Sequence, residues 1–440
     1  MSPASSETST ASPEPPASTN LGAALRGALD PHLAAALDRV LDAARPSGAA
    51  VYVVGGVPRD LLLARCPPGS LVEVDLTVTD GHDGLVAAWP LAEGRLVVHP
   101  RFGTRSWSDG RVRLDLVEAR AESYPHSGAL PVVRPGRLAE DLARRDFSVN
   151  AMAWGLVGPD AGHLVDPHDG ERDLAAGRLR LLHAGSLLDD PTRAWRGLRY
   201  ARRLGFSFAP GTQDLVRACL PVMAALSGRR LAAELGRVWS EPDPAGLLRD
   251  LEAAGVLAAI DPGLRAAEDG ARAAMSAMRA GADADNATAV YLLDQARATG
   301  LGAAERLDLS GRFRHALERC GPILDAFAGD AVTDAVLLRL DHLSPTALDL
   351  LAWTADGGGP GRQSLGSTLR RRQEGAFVDG DDLLARGLRP GPELGRILAA
   401  LRSRQLRGDI GSSAEALQAL VALTGEGGRR ILAAGGSTDA

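Results

Sequence analysis

The chain predicts an α+β fold, a small mixed α/β head followed by helices alone. Short runs rich in apolar and β-branched residues crowd residues 50–117 and read as strands. Beyond about residue 187 nearly every periodic stretch has the helical repeat. Glycine and proline then punctuate that second region at Pro210-Gly211, 242–244, Pro262-Gly263 and 357–361, cutting it into separate helices. At 440 residues, 45% of them hydrophobic, the chain can fill several cores.

Taken in order, residues 1–20 are rich in Ser, Pro, Thr and Glu without an apolar core, which suits a disordered tail and not a signal peptide. Residues 21–44 show helical periodicity. Strands follow at 50–54, 72–78 and 95–98, and a turn through Ser108-Asp109-Gly110 leads into a fourth at 111–117. The organisation expected is a head over 21–180, a helical neck over 181–240, a helical body over 241–364 and a helical C-terminal tail over 365–440. No run of 18 apolar residues occurs, so no membrane span or membrane partner is expected. Cys66, Cys219 and Cys320 are widely spaced and show no metal-ligand pattern, which points to a reducing, cytoplasmic setting.

Formal net charge is −6, so contact with nucleic acid would depend on a local basic stripe and not on global attraction. All 49 basic residues are arginine, in keeping with an Ala- and Gly-rich composition.

Two adjoining motifs carry the chemistry. Val51-Tyr52-Val53-Val54-Gly55-Gly56-Val57-Pro58-Arg59-Asp60 reads as a strand, a tight turn and a helix opening near Pro58. Bare backbone N–H groups and a positive helix end can there face a triphosphate. Arg59, in the first turn, is matched to phosphate oxygens by its guanidinium fork, while Asp60 is given the structural role of bracing the loop. On the next strand stands Glu73-Val74-Asp75. Strand alternation puts both carboxylates on one face, where they can share divalent ions, and turns Val74 and Leu76 to the core.

With these residues the chain resembles the class II tRNA nucleotidyltransferase and poly(A) polymerase family, and further motifs follow in that family's order. Arg144-Arg145-Asp146-Phe147-Ser148-Val149-Asn150-Ala151-Met152 looks like its ribose-discriminating motif, and Asp166-Pro167-His168-Asp169-Gly170-Glu171-Arg172-Asp173-Leu174 its linker. Asp189-Asp190-Pro191-Thr192-Arg193, continuing to Arg199-Tyr200-Ala201-Arg202-Arg203, resembles its base-selecting motif, and Arg229-Arg230-Leu231-Ala232-Ala233-Glu234-Leu235 a bracing motif downstream. Asp379-Gly380-Asp381-Asp382-Leu383 and Gly387-Leu388-Arg389-Pro390-Gly391-Pro392 look like its C-terminal region. The match is strong over 45–240, moderate over 365–410, and limited to helical character over 245–365.

The resemblance implies a polymerase-β-like nucleotidyltransferase head. It also implies template-independent addition of C and A, or A only, from CTP and ATP to the 3′ end of tRNA, with release of pyrophosphate. Two Mg²⁺ ions, or Mn²⁺, would be held by Glu73, Asp75 and a third carboxylate, Asp115, which fits the family pattern on a neighbouring strand and could stabilise the attacking and leaving oxygens. The family usually begins its metal pair with aspartate, so Glu73 is a departure, and Mg²⁺ is exacting about octahedral geometry. Gly55, Gly56, Arg59, Arg145, Asp146, Asn150, Asp190, Arg193, Arg199 and Arg202 are the nucleotide-binding candidates. Asp146 and Asn150, four apart, would share a helix face toward the ribose hydroxyls, with Arg145 toward phosphate.

Asp190 and Arg193 bear on base choice. A carboxylate accepting from an exocyclic amino group and a guanidinium donating to a ring nitrogen fit both cytosine and adenine. Uracil and guanine present the opposite pattern to both partners. Asp189 stands where the family usually has glutamate. Arg193, Arg196, Arg199 and Arg203 recur three and four apart along one helical face, where a solvated surface and RNA phosphate contact are both open readings.

Other readings stay open. A poly(A) polymerase characteristically has a Gly-Arg-Arg-Phe-type strand after the metal pair, where this chain has Val97-Val98-His99-Pro100-Arg101-Phe102-Gly103-Thr104. A catalytically weakened RNA-binding relative would be hinted at by Glu73. A CC-only enzyme is disfavoured, because that type shortens the flexible loop and 119–133 looks complete. Many relatives carry a C-terminal phosphohydrolase domain with a His-Asp pair. Here such pairs, His82-Asp83 and His168-Asp169, precede residue 245, so that activity is not expected.

Overall fold

The computed structural model describes residues 21–424 apart from 92, 100–102, 296 and 330–331. The tail expected at 1–20 and Pro100-Arg101-Phe102 therefore lie outside the described residues. The chain forms two compact units, 1–225 and 226–440.

The first unit is built on a seven-stranded mixed sheet in the order β3-β4-β5-β2-β1-β8-β9. Its strands are β1 (Ala50–Val54), β2 (Glu73–Thr79), β3 (Arg95–His99), β4 (Thr104–Ser108), β5 (Arg113–Glu118), β8 (Ala153–Val157) and β9 (Leu164–Val165). β1 is buried along its whole length, as suits the uninterrupted apolar run Ala50-Val51-Tyr52-Val53-Val54 between two neighbours. β2 runs antiparallel to β1 and parallel to β5. Val74, Leu76, Leu114 and Leu116 are fully buried on the inner face of that parallel pair. A separate two-stranded ribbon joins β6 (Arg120–Ser123) to β7 (Val132–Pro135).

Local chemistry explains where these elements depart from the periodicity. The helical periodicity over 21–44 is carried by two helices, α1 (Leu21–Ala28) and α2 (Pro31–Ser47). Asp30 caps α2, accepting from the His32 N–H at 2.8 Å, and Pro31 occupies the first helical position, so the chain restarts there. The strand expected from 111 begins at Arg113, because Asp109 Oδ1 accepts from both the Arg111 and Val112 amides and holds them in the turn. α3 (Gly56–Leu62) follows β1, α4 (His82–Ala87) follows β2, and α5 (Leu138–Ala143) precedes the 144–152 motif. α6 (Gly170–Ala175), α7 (Ser186–Asp189), α8 (Thr192–Leu204) and α9 (Thr212–Ala224) complete the unit. The region after 187 is not purely helical, since β11 (Ser207–Phe208) pairs in parallel with β10 (Arg178–Leu179).

The elements described in the second unit are all helices, from Gly228–Val238 to Ser413–Thr424. Trp239 donates to Thr288 Oγ1 at 2.9 Å and packs on Tyr291 at a ring-centroid distance of 5.2 Å. Asp294 pairs with Arg362. The C-terminal segment has its own apolar cluster of Val378, Leu383, Ile397, Leu401, Ile410 and Leu420. The acidic motif there is a capping box, in which Asp379 and Asp382 exchange side-chain bonds with each other's backbone N–H at 2.9 and 3.0 Å. Among the described residues no helix is long and apolar enough to cross a membrane.

Candidate functional site

β2 and β5 pair in a register that sets Asp75 opposite Asp115 and Glu73 opposite Arg113. Alternation then brings Glu73, Asp75 and Asp115 to one face, with one oxygen of each within 4.8 Å of the others. Crowding is visible in Asp75, whose carboxyl is pushed above the usual carboxylate range by the protein around it and by the charges of Asp115 and Glu73, while Arg145 and Arg113 pull the other way. An all-oxygen donor set of three converging carboxylates is the chemistry of a hard divalent cation.

The glycine turn lies beside this triad. Gly55 has φ +77°, a conformation that L side chains rarely adopt, and a Cβ built on it would lie 3.5 Å from Arg145 Nη1 and 3.7 Å from Asp75 Oδ2. The bare turn thus leaves open the space between a guanidinium and a metal-ligand candidate. α3 has seven residues, so the cradle depends on backbone amides more than on a helix dipole. Arg145 is held by Asp141, its Nη2 donating to Oδ2 at 2.8 Å, while its buried Nε has no hydrogen-bond partner. Asp141 is fully buried and also takes the Nε and Nη2 of Arg144, at 3.0 and 2.5 Å.

Arg59 is placed otherwise than expected. It is 4% exposed, grips Asp60 through Nε and Nη2 at 2.8 Å each, and donates Nη1 to Asn150 Oδ1 at 2.6 Å. Its guanidinium lies 5.4 Å from the centre of the Tyr200 ring. Burial opposes its charge, but the bonds to Asp60 outweigh burial and hold its pKa above the ordinary arginine value. Asp60 holds the Arg59 side chain, and Arg59 joins α3 to Asn150 of the 144–152 motif.

Asp146 and Asn150 do come together, but not on an α-helix. Residues 148–150 form a single 3₁₀ turn, and Asn150 Nδ2 donates back to Asp146 Oδ1 at 3.1 Å. The Phe147 amide donates to the same oxygen at 2.8 Å, a local competitor that breaks the helix the i, i+4 spacing suggested. Asp146 Oδ2 meets Arg196 Nε at 3.2 Å, and Arg196 Nη2 lies 3.8 Å from Asp190 Oδ2. One polar chain, Asp60–Arg59–Asn150–Asp146–Arg196–Asp190, thereby links the helix after the glycine turn to the start of α8.

Arg193 is not part of a solvated stripe. It is 3% exposed, donating Nη1 to Ser186 Oγ at 2.5 Å and Nη2 to the Arg144 carbonyl at 2.6 Å. Its buried Nε has no hydrogen-bond partner. Asp190 accepts from the Thr192 amide and hydroxyl at 3.1 and 2.6 Å, which fixes its carboxylate at the start of α8. Further along α8, Arg196 and Arg199 are half-buried and Arg202 and Arg203 exposed. Arg203 lies 5.2 Å from the Tyr200 ring centre.

Sequence reasoning did not single out Asp141, Tyr200 or Glu122. Glu122 Oε1 takes Arg144 Nη1 at 3.2 Å and Arg120 Nε at 3.1 Å, and Oε2 takes the Tyr124 hydroxyl at 2.9 Å. Burial, then Glu122, pushes the Tyr124 hydroxyl up to about 12. The signal available for Asp141 was its i, i+3 and i, i+4 spacing to Arg144 and Arg145.

Residues 51–180 match the family model described as the poly A polymerase head domain. The A-adding tRNA nucleotidyltransferase of Halalkalibacterium halodurans is 40% identical over 210 residues, which are 46% of this chain and 48% of that protein. The CC-adding tRNA nucleotidyltransferase of Deinococcus radiodurans is 34% identical over 379 residues, covering 85% of this chain and 89% of that protein. The chain belongs to the tRNA nucleotidyltransferase family. It spans about half the length of the first of these relatives. A solved structure described as the apo form II of a CCA-adding enzyme aligns over 92% of this chain and 98% of its own, with TM-score 0.71 and 24% identity, so this chain shares that fold.

Proposed function

We propose that the chain adds C and A, or A alone, to the 3′ end of tRNA from CTP and ATP, releasing pyrophosphate. The convergence of Glu73, Asp75 and Asp115 beside the bare Gly55 turn and Arg145 carries this reading. The three carboxylates would hold divalent cations, Mg²⁺ by preference, which when bound supply electrostatic stabilisation to the attacking hydroxyl and the leaving phosphate. Arg145, with its unsatisfied Nε, meets triphosphate oxygens, and the Gly55-Gly56 amides cradle them. Asp146 and Asn150, held by Arg59 and Arg196, orient the ribose. Asp190 accepts from the amino group of C or A, and Arg193, whose Nε is an orphaned donor, meets the ring nitrogen. Arg199 and the exposed Arg202 on α8 extend the contact to phosphates of the nucleotide and the RNA.

The setting is the cytoplasm, and the head, neck, body and tail divide at 180, 240 and 364. Incubation of the purified protein with tRNA ending before the first C, after CC, or complete, with each nucleotide singly, tests the reading. C then A, or A only after CC, is expected; incorporation of U and G at equal rates, or none of any nucleotide, refutes it. Addition of C alone would place the chain with its relative named CC-adding and correct the specificity.

A further inference from the structure

Resting on the metal reading of the triad, we propose that Arg113 is a positioning residue that sets the affinity of Glu73, Asp75 and Asp115 for their divalent cation by competing for the same oxygens. Arg113 and Asp115 are two apart on β5 and so share a face, and Arg113 lies in register with Glu73 on β2. Its guanidinium takes both oxygens of Asp115, Nε to Oδ1 at 3.0 Å and Nη2 to Oδ2 at 2.8 Å. Its Nη1 lies 3.6 Å from Glu73 Oε1. The fork therefore spans two of the three carboxylates from the N-terminal end of β5.

Three carboxylates in this space repel one another, and the guanidinium relieves part of that repulsion. A cation bound by the triad draws on Asp115 oxygens that the fork already holds, and it meets a fixed positive charge at short range. Arginine cannot escape by losing its proton, so the opposition persists at every working pH. Arg113 is also half-exposed, its side chain 51% accessible against 14% for Asp115, so it can swing away without opening the core. The arrangement raises the cation concentration needed to fill the site and leaves the guanidinium available to an arriving triphosphate once displaced.

Mn²⁺ titration of the full chain without nucleotide or RNA, read as free ion by electron paramagnetic resonance, tests this. Arg113→Ala is expected to tighten the Kd about tenfold, or about 1.4 kcal/mol. Arg113→Lys keeps a charge but not the fork, and should fall between that variant and wild type. An Arg113→Ala Kd equal to or weaker than wild type overturns the proposal. Asp75→Ala separates the two readings: if it binds Mn²⁺ as tightly as wild type, the metal assignment itself fails. If it loses Mn²⁺ while Arg113→Ala is unchanged, Arg113 alone is wrong.

Discussion

Arg193 shows how burial changes the meaning of a residue. A surface arginine reading a base could be truncated with little effect on folding, but this one is buried and satisfies Ser186 and the Arg144 carbonyl. Arg193→Ala should cost roughly 2–4 kcal/mol, two charge-assisted bonds at about 1.5–3 each less what water recovers, measured as a lower urea midpoint. Among the molecules still folded, incorporation of C and A should fall about ten- to a hundredfold while discrimination against U and G narrows. An unchanged ratio among the four nucleotides would leave Arg193 a purely structural brace between α7, α8 and Arg144. Asp75→Ala is the contrasting case, since its carboxylate contributes charge and no packing. Addition should drop by at least roughly a thousandfold, near the upper end of what a preorganised electrostatic contact supplies, with a circular dichroism melt close to wild type. Substantial activity in Mg²⁺ would remove Asp75 from the site.

At the scale of elements, the pairing of Glu73 with Asp75 was legible because strands have a period of two, whereas Asp115 joins them through the β2–β5 register, which sets it opposite Asp75 and which the resemblance alone suggested. The 144–152 segment was legible as a motif but not as a shape, because the choice between an α-helix and a 3₁₀ turn was made by the Phe147 amide bonding Asp146 and by contacts distant in sequence. α6 is one of those. Asp173 Oδ2 accepts from Ser148 Oγ at 2.6 Å and from Arg180 Nε at 2.8 Å, and Gly170 lets the two segments touch. A Cβ at Gly170 would lie 2.4 Å from the Ser148 carbonyl oxygen. Gly170→Ala should therefore cost about 1–3 kcal/mol by overpacking, and should lower kcat by shifting Asn150 without weakening Mn²⁺ binding at the triad. A kcat equal to wild type would show that α6 does not position the ribose turn. In the second unit, Asp341 accepts two bonds from Arg402 at 2.8 and 2.9 Å. Burial works against its charge, but Arg402 and Arg372 hold the carboxyl below its usual range. A depressed folded pKa means the stabilisation is complete above the unfolded value of about 3.9 and is lost as pH falls through the folded one. Asp341→Asn should therefore lower stability by about 1–2 kcal/mol at pH 7, discounted for partial exposure, and the gap to wild type should close below about pH 4. A gap independent of pH would assign the effect to packing.

Across the whole molecule the charge distribution carries a constraint that no single motif shows. The chain has formal net charge −6 and no lysine, so apart from its nine histidines every side-chain cation offered to a phosphate is a guanidinium. The order of motifs was readable along the chain because each is local, whereas the Asp60-to-Asp190 polar chain was not, since it joins residues from Asp60, 146–150 and 190–196 through side chains. That chain also buries Arg59, and the neighbouring Arg193 is buried as well, leaving Arg113 and Arg202 among the site arginines open to reagents. Amine-directed acylation should accordingly leave nucleotide addition unchanged, because no side chain carries an ε-amino group. A dicarbonyl selective for guanidinium should inactivate the protein, and saturating ATP with a divalent cation should slow that loss by covering the phosphate-facing arginines. Inactivation by the amine reagent, or inactivation by the dicarbonyl at the same rate with and without ATP, would show that phosphate recognition does not run through the arginines around the triad.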